Sequence, residues 1–214
     1  IDPRHDIGNK LCTGIIGIDC AKKFPPQKSH VYCGANSATI VAPSGKTYTI
    51  EKDNPQAFII DRVSYIKTIA ETASNTGAEY ILGQKATDIH NTQSHTVVTL
   101  NNTKNKLISK IVIVASGFGS PLIKQLGLQT ESSDDYLTAS QAEITSNNLE
   151  RTEVYLGSRI VPGSFGWVVP LADGKALAGL IGPKVNKGQM DQFLCLLKSR
   201  NKVANITKDP TSWG

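Results

Sequence analysis

Cys12 stands in the stretch KLCTGIIG, where Gly14 and Gly17 leave room for another surface to come close. A thiolate there would be a nucleophile or redox group, and Lys10 is the nearby charge that would favour it. Read as a small buried hydrophobe, the same cysteine needs no chemistry at all. A second candidate is the turn Ala115-Ser116-Gly117-Phe118-Gly119-Ser120, set between a β-branched run and a short helical pattern. Its backbone N–H groups could face a phosphate or the edge of a flat ring, or the turn could be tight and ligand-free. Asp61 and Arg62 open another helical pattern, and their simplest reading is a cap followed by an exposed charge. Phe165 and Trp167 alternate along a strand and so point to one face. That pair is either ordinary core or a flat apolar wall for a long hydrocarbon.

Other chemistries have no residues to carry them. Cys12, Cys20, Cys33 and Cys195 are irregularly spaced, and His5, His30, His90 and His95 do not complete a zinc pattern. No HExxH, P-loop or triad arrangement is found. The net charge is +5, but the lysines are scattered and no basic helix carries interleaved aromatics, so nucleic acid is not an expected partner. A cationic face would still suit an anionic lipid or a phosphorylated ligand. No secretory pattern and no apolar run of spanning length is read, so the expectation is reduced cysteines and a cytoplasmic setting, with peripheral membrane contact left open.

These groups need elements to position them. Residues 31–53 read as a hairpin about Pro43-Ser44-Gly45. Val63, Ile66, Ile69, Ala70 and Ala73 keep helical spacing, with Asp61 as N-cap and Gly77 as the stop. Residues 78–114 read as strands with a hairpin turn at Asn101-Asn102, and the last, Lys110 to Val114, is expected to be covered on both faces. After the polar stretch 130–135, short strands recur at 136–145, 152–157, 165–172 and 175–182, as in an antiparallel sheet with one covered face. Residues 186–201 form an amphipathic helix with Met190, Phe193, Leu194 and Leu197 on one side, and the tail 206–214 has no evident partner.

The order of these segments is more telling than any one of them. CTGIIG, then FIIDR opening a helix that ends TGAEY, then KIVIVASGFGSPLIKQLGL, then PGSFGWVVPLADGKALAGLIG resembles the geranylgeranyl reductase family of flavoproteins. These belong with the FixC-type proteins in the p-hydroxybenzoate hydroxylase-like superfamily. The likeness covers most of residues 8 to 182. Its most specific part is the family pattern Tyr-x-Trp-x-Phe-Pro, matched by Phe165, Trp167, Val169 and Pro170, which implies a cavity for an isoprenoid chain. The resemblance also implies that Cys12 lies near the flavin face as the catalytic candidate, and that Arg62, Ala115, Gly117 and Ser120 lie near the cofactor. This chain departs from the pattern at Ser116, which replaces an Asp, at Phe165, which lacks the Tyr hydroxyl, and at Val169, which replaces Phe.

The implied fold is α+β: a mixed-sheet portion of an FAD-binding domain, residues 1–23 and 61–127, interleaved with an antiparallel-sheet substrate domain, residues 24–60 and 128–214, with few helices. The implied reaction is FAD-dependent reduction of prenyl double bonds in a lipid or (bacterio)chlorophyll, with NAD(P)H or a ferredoxin as electron donor. An electron-transfer or isoprenoid-binding protein is the rival from another class. An aromatic hydroxylase or halogenase on the same scaffold is the rival within it, although the tryptophan-rich motifs of halogenases are not seen. The N-terminal GxGxxG loop and the later Gly-Asp segment of such flavoproteins find no match. The expectation is therefore the middle of a longer protein that by itself binds FAD weakly or not at all and tends to self-associate.

Overall fold

Hydrophobic alternation with a period of two dominates this chain, and strands outnumber helices accordingly. In the computed structural model the described residues are 1–101, 106–117, 119–128, 136–146, 148–160 and 162–213. In chain order the elements are β1 (Ile15–Gly17), α1 (Ile18–Lys23), β2 (Val31–Ala35), β3 (Ser37–Val41), β4 (Thr47–Glu51), β5 (Ala57–Ile60) and α2 (Arg62–Asn75). There follow β6 (Ala86–Asn91), β7 (Thr96–Leu100), β8 (Lys106–Ser109), α3 (Pro121–Gln125), β9 (Thr138–Thr145) and β10 (Thr152–Leu156). The last are β11 (Phe165–Pro170), β12 (Lys175–Gly182), α4 (Lys187–Ser199) and β13 (Asn205–Trp213). They gather into two compact units, residues 1–9 with 66–132 and residues 10–65 with 133–214.

The larger unit is built on a seven-stranded sheet in the order β13-β9-β12-β11-β10-β3-β4. The strands β9 to β12 are antiparallel, as their short turns require, and the sheet is mixed because β3 joins β10 in parallel. One face carries Val41, Ala142, Ile144, Tyr155, Val168, Ala178 and Leu180, and α4 covers it with Met190, Phe193, Leu194 and Leu197. The helix starts cleanly because Asn186 and Gln189 form a capping box, each side chain accepting from the other's backbone N–H. A second, three-stranded sheet, β1-β5-β2, belongs to the same unit. Its buried Ile59 packs against Trp167 and Val169 on the opposite face of the large sheet.

The smaller unit holds the antiparallel sheet β6-β7-β8, packed through Ile89, Val98 and Leu100 onto Leu122 of α3. The run after β8 differs from its sequence reading. Val112 and Val114 join this core, but Ile111 and Ile113 are 78% and 87% exposed, and the segment lies outside every named strand. A β-branched run buries both sides only when it is covered on both, and here one side lies open. Asn102 of the expected hairpin turn, Phe118 of the glycine turn and the polar stretch 130–135 lie outside the described residues.

Three further differences come from long-range pairing that local pattern cannot show. The tail, read as unpartnered, forms β13 and pairs with β9, with shifts in register near Lys208. The apolar stretch 31–41 breaks at Asn36, so that β2 pairs with β5 while β3 forms the expected hairpin with β4 around Gly45 at φ +86°. Finally, β1 pairs with β5, which draws residues 10–23 into the larger unit, whereas the sequence boundaries grouped them with 61–127.

Candidate functional site

Strand alternation decides which of the four aromatic-segment residues can act together. In β11, Phe165, Trp167 and Val169 share the face away from α4, and Pro170 lies on the other side with the fully buried Val168. Trp167 is 8% exposed and Val169 is fully enclosed, while Phe165 is 40% exposed. The two rings meet edge to face with centroids 6.2 Å apart. Phe165 therefore presents the open ring, and Trp167 backs it. The register carries this face outward in one row, Trp167–Val154–Ile40–Tyr48, to the exposed edge strand β4.

Trp167 fits because of what it faces. Gly179 is its partner on β12, and a Cβ there would stand 2.3 Å from the indole ring and 2.7 Å from the Ser140 carbonyl oxygen. The glycine is thus required by the close approach of the ring. The indole Nε1 is buried without a hydrogen-bond partner among the described residues, unusual for a tryptophan, whose N–H ordinarily finds an acceptor when buried.

The Cys12 loop is tied to the same row of the sheet. Thr13 Oγ1 donates to Gln141 Oε1 at 2.9 Å, and Gln141 pairs across from Gly179, itself the β12 partner of Trp167. Gly14 takes φ +77° and lies so close to the chain that a Cβ would be 2.5 Å from the Ile60 carbonyl oxygen. Its own carbonyl accepts from the Ile60 N–H at 2.9 Å. Arg62 Nη2 donates to the Lys10 carbonyl at 2.6 Å, which fastens the loop to the start of α2. Cys12 itself is exposed, with its sulfur 3.5 Å from the Gly14 N–H. Asp61 caps α2 by accepting from the Ser64 N–H at 3.1 Å and the Ser64 hydroxyl at 2.7 Å. Burial opposes its charge, but these bonds prevail and hold its carboxyl below the usual range.

In the smaller unit, Gly117 and Gly119 take φ +78° and +68°, and the space a Gly119 Cβ would fill is open. Ala115 and Gly117 are exposed, and the Ser120 hydroxyl makes no capping bond to α3. Since α3 is five residues long and begins with Pro121, which has no N–H, any holding of an anion there falls to the turn itself. Among the described residues no cluster of His, Cys, Asp or Glu could hold a metal ion.

Cys12, Arg62, Phe165 and Trp167 lie in the larger unit, the Cys12 loop linked through Thr13 and Gln141 to the row of Trp167, and Pro170 lies on the other side of the sheet. Thr13, Gln141 and Gly179 escaped the sequence reading. Only Gly179 left a trace, as a glycine inside a strand pattern, which marks close backbone approach.

The sequence pattern described as tryptophan halogenase matches residues 25–181, most of this chain. The chain belongs to the tryptophan halogenase family. The match agrees with the expected scaffold, which halogenases share. Among curated relatives of this family member is digeranylgeranylglycerophospholipid reductase 1 of Methanosphaera stadtmanae, 28% identical over 190 residues, which are 84% of this chain and 47% of the relative. The resemblance to geranylgeranyl reductases read from the residues is matched by that relative. Among solved structures, a geranylgeranyl bacteriochlorophyll reductase-like protein from Thermoplasma acidophilum superposes with a TM-score of 0.86 at 20% identity, covering 99% of this chain and 58% of the other. The halogenase PltM, solved with phloroglucinol and FAD, gives a TM-score of 0.68 at 17% identity, covering 92% of this chain and 46% of the other. These likenesses show the shared α+β fold, and the chain spans about half the length of the curated relative.

Proposed function

We propose that this member of the tryptophan halogenase family is part of an FAD-dependent reductase acting on the prenyl chains of a lipid, with NAD(P)H or a ferredoxin as electron donor. The observation that carries the reading is the apolar face of β11, where Phe165 lies open and the Trp167 N–H has no partner among the described residues, with the Cys12 loop tied to the same row through Thr13 and Gln141. Support comes also from the relative named a digeranylgeranylglycerophospholipid reductase.

The residues present fit the cofactor in kind. An open, positive-φ glycine turn at Gly117 and Gly119 suits close approach of a flat or anionic group, with Ala115 and the Ser120 hydroxyl, which does not cap α3, beside it. FAD, when bound, supplies hydride transfer to a prenyl double bond. The chain's own part is to shape and dry the place where that happens. Phe165 lies against the prenyl chain, Trp167 and Val169 back that wall, and Arg62 holds the loop that carries Cys12. The uncovered side of Ile111 and Ile113 supports the further reading that additional sequence completes the cofactor domain. A lipid substrate also places the protein at a membrane surface, peripherally.

A second reading, an FAD-dependent hydroxylase or halogenase, is favoured by the family match alone. The two readings separate by what the reaction consumes, since oxygen is needed only for the second. Within the reductase reading, Phe165→Ala in the complete polypeptide raises the KM for a prenyl lipid about tenfold, the scale set by losing one apolar contact of this size. Bound FAD stays unchanged. Equal loss of FAD and of lipid turnover would remove Phe165 from the wall.

A further inference from the structure

We propose that the segment from α1 to Val31 is a membrane-docking surface that engages anionic lipid. Four observations converge there. An apolar pocket of about 600 Å³ opens among Ile18, Ala21, Val31 and Phe58 and is bordered by Pro25 and Pro26. Phe24 stands at its side with 53% of its surface exposed. Lys22, Lys23 and Lys28 are all exposed around it, and Asp19, 3.9 Å from Lys22, is the one acid between residues 18 and 31. Lys23 Nζ lies 5.6 Å from the Phe24 ring centroid, so cation and aromatic share one surface.

The backbone adds a reason to prefer a bilayer over water. Burying unpaired N–H and C=O groups in an apolar phase is costly. Pro25 and Pro26 have no N–H to bury. The Phe24 N–H already donates to the Cys20 carbonyl at 2.8 Å, and the Phe24 carbonyl accepts from the Tyr65 hydroxyl at 2.7 Å. Tyr65 is 5% exposed, so the loop is anchored to the core of its unit and little ordering remains to be done on binding. An aromatic ring on a backbone stripped of free donors, ringed by lysines on long apolar stems, suits the boundary between acidic headgroups and acyl chains. The site deepens the lipid reading above and rests on it for its purpose, but its binding is measured without turnover.

The experiment is flotation of the complete polypeptide with vesicles of phosphatidylcholine, with and without phosphatidylglycerol. The expected result is flotation with the anionic vesicles only, reversed by raised salt. Combined Lys22→Gln, Lys23→Gln and Lys28→Gln weakens binding on the order of a hundredfold, at about fivefold per lysine. Phe24→Ser weakens it on the order of tenfold. A matched triple at Lys46, Lys184 and Lys187, none of which lines the pocket, changes it less than about threefold. The lysine variant at 22, 23 and 28 retains turnover on detergent-dispersed prenyl lipid. Failure to float, equal flotation on neutral vesicles, or equal loss in the two lysine triples would overturn the proposal. Loss of turnover on dispersed lipid would do the same, by placing these lysines in the reaction site. Flotation without any prenyl reduction would leave the docking surface standing and remove only the reductase reading.

Discussion

Trp167 and Gly179 act as one unit, and the energetics of the pair can be separated from any ligand. A methyl group at position 179 must push the indole or the Ser140 carbonyl away, because both lie inside van der Waals contact of it. Gly179→Ala is therefore expected to destabilise the fold by roughly 1–3 kcal/mol, the range for overpacking. Urea unfolding checks this, and a red shift in tryptophan emission should accompany it. Trp167→Ala leaves a large cavity beside Ile59 and Val169 and costs about 3–5 kcal/mol, so it reports on folding more than on the site. Phe165→Ala, on an exposed ring, is expected to cost under about 1 kcal/mol and is the cleaner probe of the wall. Sequence alternation was enough to put these two rings on one face. It could not tell that one is covered and the other open, because the covering Ile59 comes from a strand more than a hundred residues earlier.

At the scale of elements, β9 is held on both sides by one carboxylate. Glu143 accepts from Lys208 of β13 at 2.7 Å and lies 3.3 Å from Lys175 of β12. The bond from Lys208 is the largest influence on it. Burial works the other way, Lys175 adds to Lys208, and the result is a carboxyl below its ordinary value of 4.5. A depressed folded pKa contributes stability that is fully present above the ordinary value and is lost as pH falls through the folded one. Denaturation midpoints should thus fall below about pH 4.5, and Lys208→Gln should flatten that fall. An unchanged acid profile in the variant would show that the pair contributes nothing. The helix α4 was legible down to its four buried residues, since periodicity is local. Asn186→Ala is expected to cost about 1 kcal/mol in urea unfolding. By contrast β13 was not legible, because polar residues and Pro210 interrupt any apolar alternation and its pairing partner lies some sixty residues back along the chain.

For the whole molecule, the uncovered isoleucines set the behaviour of the isolated chain. Ile111 and Ile113 lie exposed on a run outside every named strand, and exposed apolar side chains invite association. Sedimentation of the 214-residue chain should show self-association that grows with concentration, and Ile111→Thr with Ile113→Thr should shift it toward monomer. A clean monomer at high concentration would contradict this. The likeness to geranylgeranyl reductases was legible from the order of motifs, and a halogenase was read as a rival on the same scaffold, in keeping with the family match.

The central claim is that the apolar face beside Phe165 serves reduction of a prenyl chain. Its most direct test is an anaerobic incubation of the complete polypeptide with FAD, a chemical reductant and a geranylgeranyl lipid, followed by mass analysis of the lipid. The account predicts a gain of two hydrogens per reduced double bond, without oxygen or halide, slowed by Phe165→Ala. An unchanged lipid under these conditions, or a hydroxylated or halogenated product once air and halide are admitted, would contradict it.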